Sequence, residues 1–298
     1  MAVTLTQIRA FLAVKNTGSV HGAASQLLVS QPSVSAAVAS LGRELGVTLF
    51  ERHGRGVRLT EPGEAFAPYA AQVLGLIEQG RSAALEAAHP ETSKVRLAAV
   101  NTAGEYLIPP LIRAFRQLHP GISILLEVGN RATVFERLES RRADIGIGGR
   151  PPGRALAGHP LTGNELVVVG RDVPADLAAV PWLLREEGSG TRLATERLLA
   201  DLNLGPADSG SPELLTLGSN GAIKQGLAVG LGVTLISRFA VARELREGSL
   251  AEIPVPGTPL SRPWHVLFAP SAPERPAVRA LAEFLRSRRA RTLIDKLL

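Results

Sequence analysis

Between Gly18 and Gly46 a helical apolar pattern is punctuated twice, and this punctuation constrains the chain more than any other feature. Leu5, Ile8, Phe11, Leu12 and Val14 form a helical stripe that ends near Gly18. Ser19 is an N-cap candidate for the segment Val20 to Leu28. Ser30 caps the next helix, and Pro32 sits in its first turn, where a missing N–H costs nothing. Val34, Val38, Leu41 and Leu45 give that helix one buried face, and Gly46 stops it. Two short helices roughly three residues apart, with Ala23 and Ala24 small enough for their axes to approach, make a helix-turn-helix.

Residues 49–60 read as strand, glycine turn, strand. Leu49-Phe50-Glu51-Arg52, His53-Gly54-Arg55-Gly56 and Val57-Arg58-Leu59-Thr60 form a hairpin wing that carries Arg52, Arg55 and Arg58. Residues 1–63 are therefore expected to be a winged helix-turn-helix domain; the plainer alternative is a helical pair with a surface hairpin. From residue 64 the pattern changes to an Ala-rich helix running to residue 88. Phe66, Ala70, Val73, Leu74, Ile77 and Leu85 recur along it at helical spacing. Its apolar seam pairs either with a second copy of the chain or with its own domain. Residues 64–93 form the expected linker, with His89 to Ser93 as its hinge.

Residues 94–298 alternate strand and helix patterns. Apolar runs at 95–100, 122–128, 144–148, 165–170, 181–184, 214–217, 233–236 and 262–269 read as strands. Segments 105–118, 131–140, 190–202, 219–229, 238–246 and 276–298 read as helices. This is an α/β pattern with largely parallel sheets. Residues 162–265 can close as one lobe, and 94–161 with 266–298 as the other, leaving a cleft at the carboxyl ends of the strands.

The chemistry available is narrow. The chain has no cysteine, hence no disulfide, thiolate metal site or cysteine nucleophile. Its six histidines, at 21, 53, 89, 119, 159 and 265, match no HExxH spacing. There is no GxSxG elbow, no phosphate loop of the GxxxxGK type and no metal-ligand cluster. The expectation is a protein that is not an enzyme and carries no cofactor. No signal-peptide pattern and no apolar run of about 18 residues is visible, so a soluble cytoplasmic protein is expected. The net charge is +6, and lysine stands at only four positions, so 29 of the 33 basic residues are arginine. Arginine suits phosphate and carboxylate recognition, and an Arg-rich coding bias accounts for the excess equally well. Several strand-to-helix junctions end in small polar residues: Asn101-Thr102, Asn130-Arg131, Ser189-Gly190-Thr191 and Ser219-Asn220. Each alone is an ordinary cap; four helix N-termini facing one cleft would hold an anion.

The first domain resembles the signature of the LysR-type transcriptional regulators. The resemblance rests on Gly18-Ser19-Val20, Ala23-Ala24, Leu27, Val29-Ser30-Gln31-Pro32-Ser33-Val34-Ser35, Leu41, Leu45-Gly46-Val47, Leu49-Phe50-Glu51-Arg52, Arg58-Leu59-Thr60 and Gly63. The linker helix, the two lobes and a late Gly230-Leu231-Gly232-Val233 turn extend the likeness over the whole chain. Within the family, Gly218 to Lys224 looks like the branch of carbon-fixation and sulfur or nitrogen assimilation regulators.

The resemblance implies a multi-domain, ligand-responsive regulator of transcription. Its parts are a winged helix-turn-helix, a long linker helix and a two-lobed α/β effector domain like the periplasmic binding proteins. It implies a homodimer or homotetramer joined through Phe66, Ala70, Val73, Leu74 and Ile77. On double-stranded promoter DNA, the helix opening at Ser30 would place Gln31, Pro32, Ser33 and Ser35 at bases, and Arg52, Arg55 and Arg58 at phosphates. A small polar or anionic co-inducer would sit between the lobes against Asn101, Thr102, Asn130, Arg131, Ser189, Thr191, Ser219 and Asn220. One departure stands out: many members carry Arg or Lys just after the position of Ser35, where this chain has Ala36-Ala37-Val38. Specificity would then lean on the wing and on DNA shape. The competing reading is a two-lobed small-molecule-binding protein with no DNA function.

Overall fold

The computed structural model describes residues 3–89, 93–150, 156–205, 211–270 and 275–297. The chain forms two compact units, one of residues 1–85 with 139–142 and one of residues 86–138 with 143–298. Pro90 to Thr92 of the expected hinge lie outside the described residues.

The first unit opens with α1 (Leu5–Thr17), α2 (Val20–Leu27) and α3 (Gln31–Leu45). Thr4, Ser19 and Ser30 cap them, each side-chain oxygen accepting a backbone N–H of the first turn. Gly18 and Gly46 end α1 and α3 at φ 66° and 72°, the left-handed region that a Cβ disfavours. Ala23 and Ala24 are buried against Ala10, Ala13 and Val14 of α1 and Val34 of α3, the close approach that their size permits. A second cluster gathers Phe11, Leu41, Leu49, Ala67 and Ala70. The Phe11 ring lies 5.3 Å from both Phe50 and Phe66.

Strands β1 (Phe50–His53) and β2 (Gly56–Leu59) pair antiparallel, and α4 (Glu61–Ala88) begins directly after them. That helix starts three residues before the expected position because Thr60 Oγ1 accepts the Gly63 N–H and Pro62 fits its first turn. The expected apolar seam of α4 divides between two faces. Ala67 and Ala70 are buried in the core of the first unit, with Phe66 and Leu74 packed beside them. Tyr69, Val73, Leu76 and Ile77 remain 67%, 39%, 45% and 48% exposed. Ala70 thus has no surface left for a second chain. The run Phe66, Ala70, Leu74 follows the i, i+4 ridge that meets α1, so helical spacing alone merged a core face with an outward one.

The second unit has two lobes. Along the chain its elements are β3 (Ser93–Val100), α5 (Ile108–Leu118), β4 (Ile122–Gly129), α6 (Arg131–Glu139), β5 (Ile145–Gly148) and β6 (Ala157–Thr162). Then come β7 (Glu165–Gly170), β8 (Trp182–Leu184), α7 (Gly190–Asp201), β9 (Leu214–Thr216), α8 (Asn220–Ala228), β10 (Thr234–Ser237) and α9 (Arg238–Glu247). The unit ends with β11 (Ala251–Glu252), β12 (Leu260–Ser261), β13 (Trp264–Phe268), α10 (Pro276–Arg286) and α11 (Arg288–Asp295). The first lobe's sheet runs β4-β3-β5-β13-β6. In the second lobe β7 pairs with β10, β11 and β12, and β8 pairs with β9.

The expectation of largely parallel sheets is corrected. β3 is parallel to β4 and β5, and β8 to β9, whereas β13 runs against β5 and β6, and β7 against all its partners. The chain returns between the lobes through short connections that carry no crossover helix, and such returns pair antiparallel. Two further segments depart from expectation. The helix expected from residue 105 opens with a π-helical turn, Ala103–Leu107, before Pro109 and Pro110 restart it as α5. The expected single C-terminal helix breaks at Ser287, whose side chain caps α11.

Candidate functional site

Two surfaces concentrate the expected site residues, one in each unit. On the first, Gln31, Pro32, Ser33 and Ser35 are all exposed at the start of α3, while Val34 between them is buried. Ser30 and Ser33 are not both free to reach outward. Ser30 Oγ accepts the Ser33 N–H, and the two hydroxyl oxygens stand 2.8 Å apart. Gln31 Nε2 lies 2.9 Å from His21 Nδ1, so α2 steadies the amide from the side. His21 was not anticipated as part of this surface. Its position ten residues before Gln31 becomes contact only through the packing of α2 on α3.

The wing is tied to this surface by backbone. The Val57 N–H donates to the Gly18 carbonyl at 2.9 Å, and a Cβ at Gly56 would stand 2.5 Å from that oxygen. Only glycine fits there. The three wing arginines are unequal. Arg55 follows Gly54, at φ 57°, in the two-residue loop. Arg52 stands opposite Val57. Arg58 stands opposite Glu51 and donates to it at 2.6 Å. Arg58 is thus already paired in the DNA-free chain, whereas no ion pair holds Arg52 or Arg55 among the described residues. The partner strand's acid, one residue before Arg52, carried the signal.

The second surface is a cleft between the lobes with a volume of about 850 Å³. Asn101, Thr102, Asn130, Arg131, Ser189 and Thr191 line it, as expected. Ser219 and Asn220 do not. Ser219 caps α8 by accepting the Ala222 N–H, and Asn220 is 2% exposed. The Asn220 amide is fully engaged: Oδ1 accepts from Arg185 Nη1 at 2.5 Å, and Nδ2 donates to Thr102 and to Glu105 at 3.2 and 3.0 Å. The polar junction seen in the sequence fastens one lobe to the other. Arg185 is its second half, donating also to Glu186 and, with the Asn101 amide oriented by its neighbours, to Asn101 at 2.6 Å.

Helices α6 and α7 both point their N-termini at the cleft. Asn130 Oδ1 accepts the Thr133 N–H at 2.9 Å, and Ser189 Oγ accepts the Arg192 N–H at 3.4 Å. Each cap satisfies the third N–H of its helix. The first two, at Arg131 and Ala132 and at Gly190 and Thr191, have no carbonyl partner within the helix. Arg131, Arg150, Arg185 and Arg262 line the same cavity, and among the described residues no Asp or Glu does.

Arg262 is the residue that sequence reasoning missed. It lies in the connection from β12 to β13, where its N–H donates to the Asn164 carbonyl of the β6–β7 connection at 2.7 Å. The two passages between lobes are thereby bonded side by side. Burial, with Arg131 and Arg197 adding repulsion, lowers the pKa of its guanidinium. One arginine among 29 carries no sequence signal of its own; the location of the crossover is what selects it.

Comparison with known proteins settles the family. A helix-turn-helix model described as a bacterial regulatory protein of the lysR family matches residues 5–64, and a LysR substrate-binding domain model matches 88–290. The chain belongs to the LysR family of transcriptional regulators. This LysR regulator is 33% identical to the HTH-type transcriptional regulator CfxR of Cupriavidus necator, over 95% of this chain and 91% of that one. It is also 33% identical to a RuBisCO operon transcriptional regulator of Acidithiobacillus ferrooxidans, over 95% and 93%. The second unit is similar to the regulatory domain of CcmR from Synechocystis PCC6803, solved in complex with 2-PG. That match is 31% identical with a TM-score of 0.57, over 64% of this chain and 95% of that one. These relatives place this LysR regulator in the carbon-fixation branch. Among the described residues no helix is long and apolar enough to cross a membrane, and no group of potential metal ligands occurs.

Proposed function

We propose that the interlobe cleft of this LysR regulator takes a small anionic metabolite and that its occupancy changes how the winged helix-turn-helix binds promoter DNA. One observation carries the reading: four arginines and two capped helix N-termini line the cleft, with no carboxylate among its described lining residues. Glu186 already neutralises Arg185, but Arg131 and Arg262 have no carboxylate partner among the described residues, and a phosphate or carboxylate supplies their counter-ion. Arg131 and Arg262 grip the anion, while Asn101, Thr102, Ser189 and Thr191 fix the rest of the molecule. A relative's regulatory domain carrying 2-PG, in a protein 31% identical, supports a phosphorylated ligand. Among the described lining residues no nucleophile is in contact with a base, a lining that suits binding.

On the DNA, Gln31 and Ser35 read bases, and Arg52 and Arg55 hold phosphates. The exposed face of α4 joins two copies, as a two-fold DNA reader needs. The effector acts by binding one arrangement of the assembly more tightly than the other.

The test is DNA binding to the chain's own upstream region at fixed salt, with and without 2-PG. A specific complex whose affinity or footprint shifts with 2-PG is expected, and Arg131→Gln abolishes the shift while leaving the ligand-free complex intact. A two-lobed binder with no specific DNA complex would refute the regulator reading.

A further inference from the structure

The helix that presents its N-terminus to the cleft also walls a second cavity. Ala194, Arg197, Leu198 and Asp201 recur at i, i+3, i+4 and i+7 on α7 and so share one face. Leu260 and Arg262 stand across from them, and the crevice between encloses about 430 Å³. Ala194 and Leu198 are buried at its base, and Arg197 is exposed. Among the described lining residues the charged groups are Arg197, Arg262 and Asp201, one positive charge in excess. Among the described residues neither arginine has an ion-pair partner.

Arg262 lines both this crevice and the cleft. A Cβ at Gly190 would stand 3.8 Å from its Nη2, which places the guanidinium beside the first turn of α7. Arg131 repels it from the cleft and Arg197 from the crevice. A guanidinium has five donors in a planar fork, enough to serve an anion on each side.

We propose that the crevice is a second ligand site of this LysR regulator, for a small carboxylate with an apolar body, and that it shares Arg262 with the cleft. The carboxylate lies between Arg197 and Arg262, and the apolar body covers Ala194, Leu198 and Leu260. Two anions across one guanidinium repel each other, and each finds part of the charge of Arg262 already neutralised. Occupancy of either site therefore weakens the other, by the same factor in both directions.

The proposal rests on the cleft reading only through Arg262. The experiment is calorimetric titration of the full chain with two probes, inorganic phosphate for the cleft and 4-methylpentanoate for the crevice. Arg197→Gln, an exposed change that the fold tolerates, should weaken 4-methylpentanoate about tenfold and leave phosphate unchanged. Arg131→Gln should do the reverse, and Arg262→Gln should weaken both. Saturating phosphate should raise the Kd of 4-methylpentanoate by roughly threefold or more without abolishing its binding. Phosphate binding with no saturable 4-methylpentanoate binding, or no effect of Arg197→Gln, overturns the second site. Displacement of one probe by the other at a single stoichiometric site, with Arg131→Gln impairing both, also overturns it. Loss of phosphate binding with the carboxylate retained would instead strike the cleft reading.

Discussion

Arg185 Nη1 and Asn220 Oδ1 meet at 2.5 Å with both side chains almost sealed, at 4% and 2% exposure. The pair sits where the second lobe reaches the first, because Asn220 also donates to Thr102 and Glu105. Asn220→Ala would leave a buried guanidinium short of an acceptor. The expected cost is about 1–3 kcal/mol of stability in denaturant unfolding. Anion affinity in the cleft should change less than stability does. A variant with wild-type stability and no ligand binding would return Asn220 to the ligand contacts.

The wing arginines should separate by pairing. Arg55→Ala is expected to weaken binding to all DNA sequences and to reduce the slope of log K against log salt by about 0.9. Arg58→Ala should do less, because Glu51 already neutralises that side chain. Glu51→Ala should raise non-specific affinity by releasing it. Equal salt slopes for the Arg55 and Arg58 variants would show that the Glu51 contact gives way on DNA.

Base reading is a separate axis. Gln31→Ala should relax operator preference while leaving the salt slope in place, since it removes donors and acceptors but no charge. His21→Ala should produce a weaker version of the same effect through loss of the contact that steadies the Gln31 amide. Competition against a panel of single-base operator variants measures both.

The outward face of α4 gives a test of assembly. Val73→Glu with Leu76→Glu should shift the chain to a smaller species in analytical ultracentrifugation. Leu74→Glu should chiefly destabilise the first unit, because Leu74 packs on its own core. An assembly that survives the double change would exclude this face as the junction.

A pH effect is expected at His159. Burial, then the adjacent Arg286 and His265, lower its pKa below the usual histidine value. Arg286 Nε donates to His159 Nε2 at 2.7 Å, which requires an unprotonated ring nitrogen. The unfolded state takes up that proton more readily, so stability should fall as pH drops below about 6.5. His159→Gln should flatten that decline in acid-range thermal unfolding.

Much of this was legible in the sequence, and the limits have physical causes. Ser19, Ser30, Gly18 and Gly46 act through the chain immediately around them, so the reading helix could be placed from local signals. The cleft junctions at Asn130 and Ser189 were equally local, both being helix N-caps. Arg262 and His21 depend on which segments meet across space, as does the fate of Asn220. Ala70 shows the same limit, since helical periodicity reports that a face is apolar and not what covers it.

The bond from the Arg262 N–H to the Asn164 carbonyl has one more consequence. The two interlobe passages, bonded side by side, offer a common pivot, and a relative turn of the lobes is expected to take place about it once the Asn220 junction gives way. Arg262 stands on that pivot, so a ligand gripped there would touch the chain at the point where a turn moves it least.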